Sequence, residues 1–365
     1  MSSIRLSHSA SSRYQDCPKS FFYHYVKNLR PVVQTSALLF GSSIDKAAEH
    51  YVNTRDFHET LQVFAASWQT QNISGNDQDL RFLLNFTYSD KDIDLDLLKQ
   101  EDWAELREHC NEYADMELEK TRGRKKDVGF KGLDDSEKKL FNFANWLCLK
   151  RKGQFMLREF KHIIDKNVQE VLGTQVKIDL ENENGDSVVG FADFVFKWKG
   201  LSEPIVFDLK TSGIEYADDS VIKSPQLSLY VFSLSEKYQN TKKAGFIVLN
   251  KNINKNKSKV CLKCNKDCSG QRHKTCDAAI NGVRCNGEFL EEVNPEARSQ
   301  VIIDTISDVF VERVVENFNE VNLAIRANIF PRCFQSCVKY GSIKCSFYEL
   351  CHENSMEGLE QKEKV

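Results

Sequence analysis

The chain has 365 residues, of which 41% are hydrophobic and 28% charged, an ordinary balance for a globular protein. No apolar run reaches the roughly 18 residues of a membrane-spanning helix, and Met1–Tyr14 lacks the apolar stretch of a secretory signal, so we expect a cytoplasmic protein. The formal net charge of -3 neither predicts nor excludes a nucleic-acid partner, because a basic groove can coexist with an acidic remainder.

The N-terminal part of the chain is predicted to be mostly helical. Ser7–Val26 predicts a helix with Ser7 or Ser9 as its N-cap. A second helix begins near Ser42, and the pattern from residue 56 to about residue 151 is again typical of helices.

The middle of the chain predicts a sheet. Strand-like runs lie near Glu170–Leu172, Gln175–Leu180, Val188–Phe196, Ile205–Leu209 and Gly245–Asn250. Between the last two runs, Ser224 and Pro225 open a helix, since proline is common at the first helical position.

The C-terminal part predicts one long amphipathic helix. It opens at Asn294-Pro295, and apolar residues from Ile302 to Ile325 recur at helical spacing. The predicted fold class is therefore α/β, with helices around a central mixed sheet and a small metal-binding insertion near residues 257–290.

Three charged residues interrupt the apolar strands. Alternation places Asp208 and Lys210 on one face of a strand, and Asp193 lies on the preceding strand. Clustered carboxylates repel and imply a compensating cation, for which Mg²⁺ or Mn²⁺ is the best match. A neighbouring lysine can orient water and stabilise charge on a phosphate. The simpler alternative is a plain Asp–Lys ion pair at a strand end.

Nine of the twelve cysteines are concentrated in two stretches, which indicates metal binding in a reducing compartment. In the first stretch, a tetrahedral zinc site is predicted for Cys261, Cys264, Cys276 and Cys285. Alternative ligands there are Cys268 and His273. Basic neighbours that leave a DNA-contacting role open are Lys255, Lys257, Lys259, Arg272 and Lys274.

Several motifs occur in the order typical of one known family. Gly190–Asp193 matches G-x-x-D, Asp208–Thr211 matches D-x-K-T, and Gln226 with Tyr230 matches a Q-x-x-x-Y helix. Ser7–Tyr25, with its Cys-Pro, is similar to the family's opening helix. The chain thus resembles the RecB-like branch of the PD-(D/E)XK nuclease superfamily, which includes the AddB nuclease domain and CRISPR-adaptation nucleases.

The resemblance implies a restriction-endonuclease-like core and a metal-dependent DNA nuclease. It implies that Asp193 and Asp208 bind Mg²⁺ or Mn²⁺ and that Lys210 positions the attacking water. Gln226 and Tyr230 would line the substrate channel.

The chain departs from the family at one position. The branch usually has G-x-x-x-H in its second helix, whereas here Gly41 is followed by Asp45. An aspartate can also bind a hard cation, so Asp45 is predicted as a third ligand, with a surface acid as the alternative. Glu170, just before the sheet, is a weaker candidate for the site.

The second cysteine stretch resembles the iron–sulfur type of this branch. That type binds its cluster through one N-terminal and three C-terminal cysteines, a pattern that Cys17, Cys337, Cys345 and Cys351 fit. The resemblance favours a [4Fe–4S] cluster, while zinc or simple burial of these cysteines remain alternatives. Cys333 falls outside the pattern.

These features predict three parts of the chain. Residues 1–256 form the nuclease core, with a helical region at 1–165 and the catalytic sheet at 166–256. Residues 257–290 form the zinc-binding insertion, and residues 291–365 complete the nuclease domain.

The predicted function is that of an exonuclease acting on DNA ends in repair, recombination or phage DNA metabolism, in the host cytoplasm if phage-encoded. The alternative is a non-catalytic DNA-binding or scaffold protein that keeps the fold and uses the zinc module for contact. No helicase motif of the G-x-x-x-x-G-K-[ST] type occurs, so the expected partners are DNA and a separate helicase or recombination protein, with no membrane.

Overall fold

We describe the fold from a computed structural model of the chain. The residues that it describes are 5–32, 34–68, 73–74, 134–181, 185, 187–238, 241–251, 254–266, 268, 275–280, 283–296, 299–339 and 343–362. Most of the helical pattern predicted between residues 69 and 133 lies outside these ranges, as does the alternative ligand His273.

The helices and strands follow one another in mixed order. The helices are α1 (His8–Asp16), α2 (Pro18–Phe21, continued by a π turn over Phe22–Val26), α3 (Ser36–Thr54), α4 (Phe57–Ser67), α5 (Asp135–Asn167), α6 (Pro225–Leu234), α7 (Asp308–Arg326) and α8 (Tyr348–Glu353). The strands are β1 (Arg5–Leu6), β2 (Leu29–Pro31), β3 (Gln34–Thr35), β4 (Ile73–Ser74), β5 (Val168–Glu181), β6 (Ser187–Trp198), β7 (Pro204–Ser212), β8 (Lys243–Asn250), β9 (Asn254–Cys261), β10 (Ala279–Ile280), β11 (Val283–Arg284), β12 (Phe289–Glu296), β13 (Gln300–Thr305), β14 (Val338–Lys339), β15 (Ile343–Lys344) and β16 (Leu359–Gln361). Within the described ranges, every helix is too short or too polar to cross a bilayer.

A six-stranded mixed sheet forms the centre of the fold. β6 pairs antiparallel with β5 and with β7, and its first residues pair in parallel with β1. β7 runs parallel to β8, which pairs antiparallel with β13. The run Pro204–Leu209 of β7 is buried throughout, as expected for a central strand covered on both faces. This architecture confirms the predicted α/β class with a central mixed sheet.

Helices cover both faces of the sheet. On one face, aromatic side chains of α3, α4 and α5 pack on the sheet around Phe207; they include Phe40, Phe64 and Phe160. On the other face, α6 contributes Leu227 and other apolar residues to a second buried cluster. The sheet therefore lies between two apolar layers, which hold its strands rigidly.

The two ends of the chain are joined. Tyr14 in α1 donates a hydrogen bond to the carbonyl oxygen of Ile329 at 2.6 Å, and Ser336 donates to the carbonyl oxygen of Asp16 at 2.7 Å. In addition, β16 pairs with β2. The C-terminal segment thus packs directly on the N-terminal helices.

The predicted C-terminal helix is wrong at its start. Asn294 and Pro295 lie in β12, and Ile302 and Ile303 lie in β13, so the helix begins only at Asp308. The β-branched run before Ser307 pairs with the free edge of β8, and this tertiary pairing outweighs a helical spacing that short apolar runs cannot specify. The catalytic sheet therefore extends beyond the predicted boundary at residue 256 to include β13.

Candidate active site and metal centres

Two neighbouring strands bring the aspartates together. β6 and β7 pair in a register that places Phe194 opposite Phe207, so Asp193 and Asp208 lie side by side at the next position. The Oδ2 atom of Asp193 accepts a hydrogen bond from the backbone N–H of Leu209 at 2.7 Å. The carboxylate of Asp193 is therefore held against the strand that carries Asp208.

Asp208 and Lys210 form an ion pair inside the fold. The distance from Lys210 Nζ to Asp208 Oδ2 is 2.5 Å, and Asp208 is only 2% exposed. Burial by itself would lower the pKa of Lys210, but the charge of Asp208 raises it above its ordinary value. Lys210 therefore stays protonated at neutral pH.

Helix α6 extends this pair into a chain of contacts. Gln226 Oε1 accepts a hydrogen bond from Lys210 Nζ at 3.1 Å, and Gln226 Nε2 donates to Tyr230 Oη at 2.7 Å. The two residues share a helix face because they are four positions apart. The side chain of Ser224 caps the helix, with Pro225 at its first position, as the sequence predicted.

Asp45 approaches Asp193 and Asp208 from the helical layer on the other face of the sheet from α6. It lies on α3, whose Gly41 is close to Thr211 at the end of β7: a Cβ atom built on Gly41 would lie 3.6 Å from Thr211 Oγ1. Burial raises the pKa of Asp45 to about 7, and the charge of Asp208 adds to this shift. Asp45 is therefore part of the acidic cluster.

The electrostatics of the cluster fit a divalent cation. Burial, and then the charge of Asp208, raise the pKa of Asp193 to about 8, and burial also raises the pKa of Asp208. One lysine, which pairs with Asp208 at 2.5 Å, cannot neutralise three acids. Carboxylate oxygens are the ligands that Mg²⁺ and Mn²⁺ prefer. Asp45, Asp193 and Asp208 offer donors of this type, although in the described residues their ligand oxygens do not all lie within 4.8 Å of one another.

Gln175 contacts the site although the sequence did not indicate it. The register of β5 and β6 places it opposite Asp193, and its Nε2 atom lies 3.4 Å from Asp193 Oδ1. Strand β5 contains both predicted strand runs and has an irregularity in its pairing between Val171 and Gly173. Gln175, two residues further on, has a φ of 46°. Glu170, in contrast, pairs with Lys197 at 2.6 Å near the far end of the strand, so the structure does not bring it to the acidic cluster.

A cavity of about 560 Å³ opens beside Lys210 and Gln226. Its opposite wall includes His8 and Arg13 of α1 and Lys344 of the C-terminal segment. Burial, and then the charge of Lys210, lower the pKa of His8, so this imidazole is neutral at pH 7. The family's opening helix was visible in the sequence, but only the packing of α1 shows which of its side chains face Lys210.

The comparison with known families identifies this arrangement. The profile of the PD-(D/E)XK nuclease superfamily matches residues 5–352. The chain belongs to this superfamily. Its members are metal-dependent nucleases, which agrees with a buried carboxylate cluster beside a lysine. A comparison with curated protein sequences found no match.

The nuclease also has a second candidate metal centre, built from thiols. The sulfur atoms of Cys261, Cys264, Cys276 and Cys285 all lie within 4.8 Å of one another. A Cβ atom on Gly287 would lie 2.6 Å from Cys261 Sγ, so the backbone closes tightly around the sulfurs. Four converging cysteines suit a tetrahedral ion such as Zn²⁺, and the cluster can hold a metal.

Cys268 lies next to the same sulfurs. Its Sγ atom is 3.7 Å from Cys276 Sγ, and the residue is buried. In the part of the chain that the structure describes, however, the set whose sulfurs all converge is the predicted one, without Cys268. Cys268 is therefore a neighbour of the candidate zinc site.

The terminal cysteines of the nuclease approach one another more loosely. Burial raises the pKa of Cys337, and the nearby thiols of Cys17, Cys351 and Cys345 add to this shift. The backbone N–H of Cys345 donates to the carbonyl oxygen of Cys337 at 2.8 Å. Across the described ranges, these four cysteines do not form a set compact enough for a single ion.

Proposed function

We propose that the nuclease is a RecB-like exonuclease that hydrolyses phosphodiester bonds at DNA ends with Mg²⁺ or Mn²⁺, in repair, recombination or phage DNA metabolism. The observation that carries the proposal is the charged cluster of Asp45, Asp193, Asp208 and Lys210, whose lysine lines a cavity. A plain ion pair at a strand end would not need two further acids from another strand and another helix.

In this proposal the three acids bind the cation, which supplies a polarised phosphoryl oxygen and an activated water when bound. Lys210 is held by Asp208 and by Gln226 and keeps its proton, so it can orient the attacking water and stabilise the negative charge on the phosphate. Gln226 lines the cavity and donates a hydrogen bond to the buried Tyr230. These contacts position Lys210 before substrate arrives.

The cavity suits a sugar–phosphate backbone. Its lining includes the cations Arg13, Lys210 and Lys344, with several serine hydroxyls. Such groups make most of the phosphate and sugar contacts of nucleic-acid-binding proteins. The joined N- and C-terminal segments both contribute residues to the cavity lining.

We further propose that Cys17, Cys337, Cys345 and Cys351 bind an iron–sulfur cluster. Support comes from their loose approach, because a cluster is larger than one ion and its ligands lie further apart. Cys17 and Cys345 also line the cavity, so a cluster would hold the cavity wall in place. Anaerobically purified protein should show the visible absorption of such a cluster; Cys345→Ser should abolish it and Cys333→Ser should not.

The exonuclease proposal is tested with linear and closed circular DNA, each single- and double-stranded, in Mg²⁺ or Mn²⁺. Linear DNA should be degraded and closed circles should stay intact. Lys210→Ala should remove the activity, whereas Lys197→Ala, a matched strand lysine paired with Glu170, should not. Cleavage of closed circles at the same rate would make the protein an endonuclease, and DNA binding without any cleavage would favour the non-catalytic alternative.

A further inference from the structure

The chain carries a long ribbon outside its central sheet. β9 and β12 pair antiparallel over eight positions, from Asn254 opposite Glu296 to Cys261 opposite Phe289. They follow β8 and precede β13, which are themselves paired. We call residues 254–296 the arm. In chain order it is an insertion between the paired strands β8 and β13, with the candidate zinc site at its tip.

The arm begins at the end of the sheet that carries the active site. β7 and β8 are parallel, with Lys210 beside Val248 and Ser212 beside Asn250. The backbone N–H of Lys251 then donates to the carbonyl oxygen of Ser212 at 2.7 Å. The chain thus leaves the sheet two residues beyond the level of Lys210 and continues into the arm.

Charge is separated between the two faces of the arm. Directly opposite residues share a face, and residues two apart along a strand do so as well. One face carries Lys255, Lys257 and Lys259, opposite Pro295, Val293 and Glu291. The other face carries Asn254, Asn256 and Ser258, opposite Glu296, Asn294 and Glu292. By pairing register and residue type, the first set of positions is therefore mostly basic and the second acidic; residues 254–296 together carry a formal net charge of +2.

The tip of the arm depends on its thiols. Its described apolar cluster consists of cysteines and Ala278. Cys261 is both the last residue of β9 and a member of the candidate zinc site. A bound metal would therefore fix the outer end of the ribbon and keep its two faces distinct.

We propose that the basic face of the arm binds the sugar–phosphate backbone of the nucleic acid next to the active site, independently of sequence. Successive lysines of the row lie ~6.8 Å apart along the strand. This is about twice the 3.4 Å rise per phosphate of one DNA strand, so the row can follow a backbone. The inference rests on the proposed function only in taking nucleic acid as the substrate.

The test is DNA binding at several salt concentrations, measured by fluorescence anisotropy with labelled single-stranded and duplex oligonucleotides. All chains carry Lys210→Ala so that the DNA stays intact. The triple variant Lys255→Gln, Lys257→Gln, Lys259→Gln should bind at least about tenfold more weakly. Its slope of log affinity against log salt should be smaller by roughly 2 to 3, because each lost phosphate contact removes about 0.7 on single strands and 0.9 on duplex.

The matched control is the acidic face, with Glu292→Gln and Glu296→Gln, which should change affinity less than about twofold. Metal content per chain should be equal in all variants, which shows that the tip is intact. The inference is overturned if the lysine variant keeps its affinity and salt slope. It is also overturned if the control strengthens binding as much as the lysine variant weakens it, since charge would then act from either face.

This experiment separates the two proposals. If the unmodified chain cleaves DNA and the lysine variant binds DNA as well as its parent, the proposed role of the arm is wrong and the proposed function stands. Absence of both cleavage and DNA binding in every form of the chain removes the proposed function as well.

Discussion

The active site and the tip of the arm both hold several like-charged ligands close together, but they do so by different means. The carboxylates of Asp193 and Asp208 sit on strands buried between two apolar layers. Among the described residues, the apolar cluster at the tip consists of cysteines and Ala278. The packed sheet holds the first set of ligands, whereas we expect the second to depend on a bound metal for its stability.

The two sites also differ in the chemistry of their ligand atoms. Carboxylate oxygens at the active site are hard ligands that leave positions open for water and substrate. The four cysteines of the tip can surround an ion completely, as in structural sites. The comparison therefore predicts that substitutions at the active site change activity without unfolding, and that substitutions at the tip change local folding without affecting the core.

The largest expected effect is at Asp208. Asp208→Asn should reduce the rate of DNA cleavage by at least about 10²-fold, the size typical of losing one electrostatic or acid–base group. The melting temperature should be unchanged or higher, because one of several repelling buried acids loses its charge. Single-turnover cleavage and thermal unfolding measure both. Asp179→Asn, an exposed acid on β5, is the matched control and should retain full activity.

The tip is tested by Cys276→Ser. Bound zinc should fall by one ion per chain, and the arm should become sensitive to protease, because structural zinc provides much of the folding free energy of small metal modules. The core should melt at the same temperature. Metal analysis and limited proteolysis follow the change, with the buried Cys148→Ser as control. A protease-resistant arm in the metal-free variant would contradict the comparison.

A smaller effect is expected at Asp45, where the family usually has histidine. Asp45→Ala should lower the cleavage rate about 10- to 100-fold, as for other groups that support a metal site. Asp45→His should retain more activity than Asp45→Ala at saturating Mn²⁺, because imidazole also binds this ion. If Asp45→Ala and the unmodified chain cleave DNA at equal rates, Asp45 has no part in metal binding or catalysis.

The smallest effect concerns the joint between core and arm. Glu159 of α5 accepts a hydrogen bond from Ser299, just before β13, and burial raises its pKa from 4.5 to about 7. The folded state therefore binds more protons than the unfolded state between these values, so stability falls as pH rises through this window. Glu159→Gln should lose this part of the pH dependence. The difference in melting temperature between the two chains from pH 5 to 8 measures it, and parallel curves would contradict the assignment.

Local signals predicted much of the fold correctly. Ser224 and Pro225 predicted the start of α6, and the apolar run after Pro204 predicted the central strand β7. The start of the last helix was wrong, because Ile302 and Ile303 belong to a strand whose partner is distant in the chain. Pairing between distant segments leaves little trace in a short apolar run.

The sequence by itself determined the ligand types: hard carboxylates near a lysine, a Q-x-x-x-Y helix, and two groups of cysteines. These follow from residue identity and spacing along single elements. Only the tertiary structure decided that Asp45 joins the acids from the opposite layer, that Gln175 and His8 lie beside them, and that the arm leaves the sheet at the level of Lys210. Those facts depend on strand register and on the packing of helices distant in sequence, which alternation and spacing within one element do not specify.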